Sequence, residues 1–446
     1  MFFDRRVFLK GMGAAVGAGL APWIMPDSMA APANGKRHFV FCYFGGGWDT
    51  TLCIDPRDPT KFTDAKSKET KIQLGWDRLQ DPFKPDLIIP SGSNIDFGPA
   101  IGDLANHYDQ MCVVRGIAMD TVSHGVGYRY FLTGQMPRGN SATGASIPGR
   151  IISSQGDHSP IPNLVVGVES YSEGLPLYAA GLGVSSVSDL LSTLGYGREV
   201  PKKELREILF DYRKQHSFCD PIHLDNEGLF QLIRTNQNSA RELVARGLTK
   251  HFNFFSGDKE MQDIRKRYNI TNSNAASARA AMVFQALKHN VAQCVSVRLT
   301  GGLDTHGPEW ATSQPERLHS AFQALNSLVN DLKREPHPNG GKYIDHTTIV
   351  AFSEFSRTPL INPRDGRDHY ISSSCMLIGA GIPHNKVIGA TSNQGMDPMA
   401  VNPITGKTEV GGRMVTPGAI FASLLKGTGY DVRKLRAEEL PCLIKS

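Results

Sequence analysis

Hydrophobic and polar positions follow two periods along this chain. His38–Phe44 (HFVFCYF) is a nearly unbroken apolar run that stops at Gly45-Gly46-Gly47, the pattern of a strand buried on both faces. Similar runs cover Gln110–Arg115, Asn163–Val168, Gln293–Leu299, Thr347–Phe352 and Ser374–Ile378. Helical spacing of apolar positions predicts helices from Ser123-His124 to Thr133, from Gln314 to Arg334 and near Pro417–Leu425. Thr50–Gly98, rich in Pro, Asp and Lys, reads mostly as loop. From about Asp189 to Asn290 the texture turns helical (Glu204–His216, Leu229–Leu248, Ala275–Leu287), which predicts a helical insertion or cap within the domain. Strands alternating with helices predict an α/β protein with a mostly parallel sheet and helices on both faces.

Composition narrows the class. The 446 residues are 40% hydrophobic and 20% charged, which is ordinary for a globular protein. A formal charge of +5 with no basic stripe gives no support to nucleic-acid binding. Past the N-terminus no stretch is apolar enough to predict a membrane span. The N-terminus itself resembles a twin-arginine export signal: Asp4-Arg5-Arg6-Val7-Phe8-Leu9-Lys10, a Gly/Ala-rich segment from Gly11 to Ile24, then Ser28-Met29-Ala30 as a cleavage site. The expectation is a signal over 1–30, a single domain over 31–446 with the insertion at about 189–290, and a periplasmic or secreted product of the twin-arginine export machinery. The glycines of Gly11–Gly17 follow no strand and so make no nucleotide loop. Seven scattered cysteines without C-x-x-C spacing imply no disulfide framework.

Candidate chemistry lies just past the apolar runs. One run leads to Gly-Gly-Gly-Trp-Asp49, one to Gly-Gly-Leu-Asp304-Thr-His306, and one to Ser-Glu354-Phe-Ser-Arg357 with Asp368-His369 beyond. C-terminal strand ends of a parallel sheet line one edge, where ligands collect. Asp49, Asp304, Glu354, Asp368, His306 and His369 would then converge, and one or two divalent cations would relieve the carboxylate repulsion. Mixed oxygen and nitrogen donors suit Zn, Mn, Mg or Ca. Ser123 stands at a predicted helix start, where it is either a nucleophile facing the positive end of the helix or a simple N-cap. His124 reads as metal ligand, acid/base or structural hydrogen-bonder. Arg357 reads as a clamp for an anionic oxygen or as an ion-pair partner of Glu354.

These elements resemble a bacterial family known mainly as a domain of unknown function, which looks like a branch of the alkaline phosphatase and sulfatase superfamily. The resemblance rests on Gly-Gly-x-Asp49, Ser123-His124 with Thr133-Gly134, Asp304-Thr-His306, Ser353-Glu354-Phe355-x-Arg357-Thr358-Pro359, Gly366-Arg367-Asp368-His369 and Val387–Thr391. It implies an alkaline phosphatase-like three-layer α/β/α sandwich. It also implies metal ligands at Asp49, Asp304, His306, Glu354 and His369 with Asp368, and a nucleophile near Ser123. Phe355 stands where phosphatases have a histidine, and the sulfatase maturation motif is absent; Cys53-Ile-Asp-Pro56-Arg57 has the wrong spacing. The expected function is exported, metal-dependent hydrolysis of an anionic phosphate or sulfate ester. A non-catalytic metal-containing binding or assembly protein is the alternative, and a metal-dependent mutase or transferase a third.

Overall fold

The computed structural model describes residues 37–156, 158–195 and 246–444, with isolated helical positions at 204–205, 207–208, 211–212 and 243. The proposed signal and most of the helical periodicity at Glu204–His216 and Leu229–Leu248 lie outside the described residues.

An eight-stranded sheet organises the chain, in the order β10-β2-β9-β6-β1-β5-β3-β4. Its strands are β1 (His38–Phe44), β2 (Met111–Ala118), β3 (Asn163–Val166), β4 (Leu182–Val184), β5 (Cys294–Thr300), β6 (Thr347–Phe352), β9 (Ser372–Gly379) and β10 (Lys386–Ile388). Neighbours pair in parallel except β9, which is antiparallel to both β2 and β6. Because β9 reverses against both, β2 runs in the same direction as β6, β1 and β5. Their C-terminal ends therefore share one edge. β7 (Ser356–Arg357) and β8 (His369–Tyr370) form a separate two-stranded ribbon just beyond that edge. The sequence pattern misses β4 and β10, edge strands of three residues each and too short to show a period.

Side chains alternate across the sheet into two cores. Val40, Cys42 and Phe44 of β1 face one core, whereas Phe39, Phe41 and Tyr43 face the other. The first core is covered by α5 (Ala276–Lys288) and α6 (Trp310–Arg334); the second by α1 (His124–Thr133), α2 (Ile147–Gln155) and α7 (Pro417–Leu425). Two further helices, α3 (Val187–Leu194) and α4 (Lys259–Arg267), also bury residues in the first core. Strands covered on both faces read as continuous apolar runs, which is why the sheet was legible. The result is the expected three-layer α/β/α sandwich with a mostly parallel sheet. The end of the expected helical insertion, α5, runs directly into β5 and packs against α6 as part of a layer. The Thr50–Gly98 stretch holds only short turns, yet it buries Leu52, Ile54, Leu74, Trp76 and Phe97 in the first core. Among the described residues no helix is long and apolar enough to cross a membrane.

Candidate metal centre

The shared sheet edge is built by close backbone approach. Gly46, in the turn after β1, has φ 114°, and a Cβ there would lie 2.6 Å from the Leu303 amide nitrogen in the turn after β5. Its N–H donates to Glu354 Oε1 at 2.8 Å, and its carbonyl accepts from Arg357 Nη2. Gly127 does the same for α1: a Cβ at that position would sit 2.5 Å from the Glu354 carbonyl oxygen. Glycine there lets α1 lie against the end of β6, and this brings His124 to Glu354.

Three histidines are each anchored through Nδ1. His124 Nδ1 lies 2.7 Å from Glu354 Oε1, His306 Nδ1 2.6 Å from Asp368 Oδ1, and His369 Nδ1 2.7 Å from the Val122 carbonyl. An ionised carboxylate or a carbonyl only accepts, so each Nδ1 carries a proton and Nε2 is the ring nitrogen turned outward. All three Nε2 atoms face Asp304. His306 and His369 Nε2 stand 2.9 and 3.0 Å from Asp304 Oδ1, and His124 Nε2 stands 3.2 Å from Oδ2. His306 and His369 Nε2 are also 3.0 Å from each other. His124 Nε2 is buried and makes no hydrogen bond.

Several lone pairs and a carboxylate pointed at one place repel unless a proton or a cation lies among them. His124, Asp304 and His369 each offer a donor atom, all within 4.8 Å of one another. Two imidazoles and a carboxylate, with anchored second nitrogens, are a donor set that fits a divalent cation of the zinc type. The orphaned Nε2 of His124 is the observation that supports this fit. His306 borders the same carboxylate as a further donor. Phe355 backs the group: its ring centroid lies 4.8 Å from that of His124 and 4.7 Å from that of His369.

Charge at the centre is held by the same contacts. Burial raises the Asp304 pKa, but the contacts of Arg357 and then His369, with the Arg357 charge, outweigh it and keep the carboxyl far below the usual range. Burial works against a proton on His124, but Glu354 and then Asp304 outweigh it and raise its pKa. Burial likewise raises Glu354, but the His124 bond together with the backbone and Ser353 hydrogen bonds outweighs it, so its pKa falls. Arg357 makes four hydrogen bonds, one of them the bond to the Gly46 carbonyl. Nε donates to the Gly47 carbonyl at 2.9 Å, Nη1 to the Arg367 carbonyl at 3.2 Å, and Nη2 to Asp304 Oδ1 at 2.6 Å. Its ion-pair partner is thus Asp304, not the Glu354 considered from the sequence.

The model of the family described as "Protein of unknown function (DUF1501)" matches residues 36–438. The chain belongs to the DUF1501 family. A comparison by sequence with curated proteins finds no match. Among solved structures, this DUF1501 chain is similar to an alkaline phosphatase superfamily protein from Vibrio parahaemolyticus, at 10% identity over 88% of this chain and 72% of that one, with TM-score 0.35. It is similar to the lipoteichoic acid synthase LtaP from Listeria monocytogenes at 9% identity, over 91% and 76% of the two chains, with TM-score 0.35. The alkaline phosphatase of the Antarctic bacterium TAB5 matches at 10% identity, over 79% and 95%, with TM-score 0.29. Overlaps of this size say nothing of the reaction.

The DUF1501 chain does not bring every expected residue to the centre. Asp49, 1% exposed, stays away from it. Its Oδ1 accepts from the Thr51 N–H at 2.9 Å and hydroxyl at 2.7 Å, and its Oδ2 from Trp310 Nε1 at 2.8 Å, with Arg367 Nε at 3.0 Å. The reason is local: Asp49 caps the short helical turn Thr50–Leu52, which aims its carboxylate at the first core. Asp368 sits behind His306, held also by Asn362 Nδ2 at 3.1 Å and Arg364 Nη2 at 3.2 Å, so it orients a ring instead of facing the centre. Glu354 stands in the same relation to His124, with Ser353 Oγ donating to its other oxygen at 2.8 Å. Sequence reasoning missed Val122, whose contribution is a carbonyl and leaves no side-chain signal. Trp310 and Asn362 were missed as well. Ser123 is the N-cap residue of α1, yet its exposed hydroxyl makes no cap hydrogen bond. Its N–H donates to Thr121 Oγ1 at 3.1 Å.

Proposed function

We propose that this chain is an exported, metal-dependent hydrolase of a phosphate or sulfate ester. The observation that carries this reading is the convergence of three anchored imidazoles on Asp304 beside a helix start that presents the uncapped Ser123 hydroxyl. His124, Asp304 and His369 would hold a divalent cation, with His306 bordering. Such a cation supplies Lewis-acid polarisation of the ester when bound. Glu354, Asp368 and the Val122 carbonyl fix the ring tautomers. Arg357 keeps Asp304 ionised. The N–H groups of His124, Gly125 and Val126 precede the first intrahelical bond of α1, from Gly127 N–H to the Ser123 carbonyl at 2.9 Å, and no acidic residue lies in that turn. An anionic ester oxygen suits such a helix end, and places its phosphorus or sulfur near the Ser123 hydroxyl. Export rests on the twin-arginine signature of the first thirty or so residues.

A second reading, a metal-containing binding or assembly protein without turnover, is favoured by Asp49. With that carboxylate committed to Arg367 and Trp310, a second cation has fewer donors than the usual two-metal phosphatase offers. The metal-loaded mature protein, assayed on a broad panel of phospho- and sulfo-esters beside Asp304→Ala, separates the two. Turnover that Asp304→Ala abolishes supports the hydrolase. Stoichiometric metal with no turnover on any ester supports the second reading.

A further inference from the structure

A second polar site lies at the far end of α1, about ten residues and so roughly 15 Å from the His124 end. We propose that the cavity there, of about 850 Å³, binds a sugar-sized molecule carrying an oxyanion group. Arg138, Arg150, Lys434 and Arg436 line it, and Glu173 is the one acidic side chain among its described lining residues. No ion pair engages any of the four cations among the described residues.

Arg150 is the decisive member. It is 5% exposed, and a cation that deep is normally matched by a carboxylate. Here the partners are neutral: Nε donates to the Ala145 carbonyl at 2.9 Å and Nη1 to the Tyr430 hydroxyl. Among the described residues Nη2 has no hydrogen bond, and it lies 2.6 Å from where a Gly144 Cβ would stand; Gly144 is itself a wall of the cavity. The guanidinium carbon sits 5.6 Å from the Tyr430 ring centroid. The walls are tied before any ligand arrives, since Gln135 Nε2 donates to the Lys434 carbonyl at 2.8 Å. The volume falls within the few hundred to about 1,000 Å³ of small-molecule pockets. Four cations facing one acid select an oxyanion, and the Tyr430 ring offers an apolar face for a sugar ring. Phosphate, sulfate and carboxylate share this chemistry.

The test is calorimetric titration of the mature protein at low ionic strength with glucose 6-phosphate, glucose 6-sulfate and glucuronate, glucose being the uncharged control. The titration is repeated in Asp304→Ala, which silences the metal centre, and in the double variant Lys434→Ala/Arg436→Ala. Both substituted cations are exposed, so that variant should fold, and Arg150→Lys probes the buried member. The expected result is saturable binding of at least one charged probe and none of glucose. The double variant should weaken binding tenfold or more with metal content unchanged, and Asp304→Ala should leave it intact. Whichever probe binds tightest identifies the oxyanion. Absence of saturable binding by all three charged probes up to about 10 mM overturns the proposal. So does binding that Asp304→Ala removes and the double variant keeps.

Discussion

His124 Nδ1 and Glu354 Oε1 meet at 2.7 Å, and that bond decides which nitrogen of His124 faces Asp304. With the proton held on Nδ1, the buried Nε2 is left as a lone pair without a hydrogen bond. A carboxylate behind a ligand histidine raises its basicity and fixes its orientation. Glu354→Gln should therefore weaken cation affinity about 10–100-fold, read by competition with a chelating dye. Unchanged affinity would mean that Glu354 serves the fold alone.

Ser123→Ala separates a nucleophile from a cap. The hydroxyl makes no cap bond, so the variant should stay within about 0.5 kcal/mol of the parent. Ester turnover should disappear while bound metal is retained. A stability loss of about 1 kcal/mol with turnover intact is the outcome expected of an ordinary cap.

Asp49→Asn tests the placement of the first expected ligand. Asp49 and Arg367 are both fully buried and paired, with Nε 3.0 Å from Oδ2. Breaking a buried pair from one side costs on the order of 3–5 kcal/mol. Denaturant unfolding should show a loss of that order, and the folded fraction should keep its metal. Full stability with metal lost would restore Asp49 as a ligand.

His38 gives the chain an acid-sensitive point remote from the centre. It is 2% exposed, and burial, with His337 and His346 nearby, lowers its pKa to about 3. A histidine depressed in the folded state stays neutral there, while the unfolded chain takes the proton below about pH 6.5. The stability present above pH 6.5 is thus lost as pH falls toward 3, by up to about 1.4 kcal/mol per pH unit from this group. His38→Phe should flatten the slope of unfolding free energy between pH 6.5 and 5. An identical slope in parent and variant would assign the acid sensitivity elsewhere.

The sheet was legible because its strands are buried on both faces and read as unbroken apolar runs, as His38–Phe44 and Thr347–Phe352 do. The strand-end placement of Asp304, His306 and Glu354 followed from that. The division of labour did not. Glu354 and Asp368 look like ligands in sequence because a carboxylate at a strand end has the same signature whether it faces a cation or a ring nitrogen. Asp49 looked equivalent to Asp304 because both follow glycine-rich turns. The difference lies in the short turn Thr50–Leu52 and in Trp310 and Arg367, which reach Asp49 from elements more than 260 residues away in sequence. The Val122 carbonyl is backbone, so no residue type advertises it.

The proposed function requires that the anchored histidines and Asp304 hold a cation. Elemental analysis of the mature protein after exhaustive dialysis tests it most directly, beside Asp304→Ala and His369→Ala. One tightly held divalent cation per chain is expected in the parent, with its loss in both variants. A parent that retains no cation after loading, or variants that retain it in full, would rule out a metal centre at these residues.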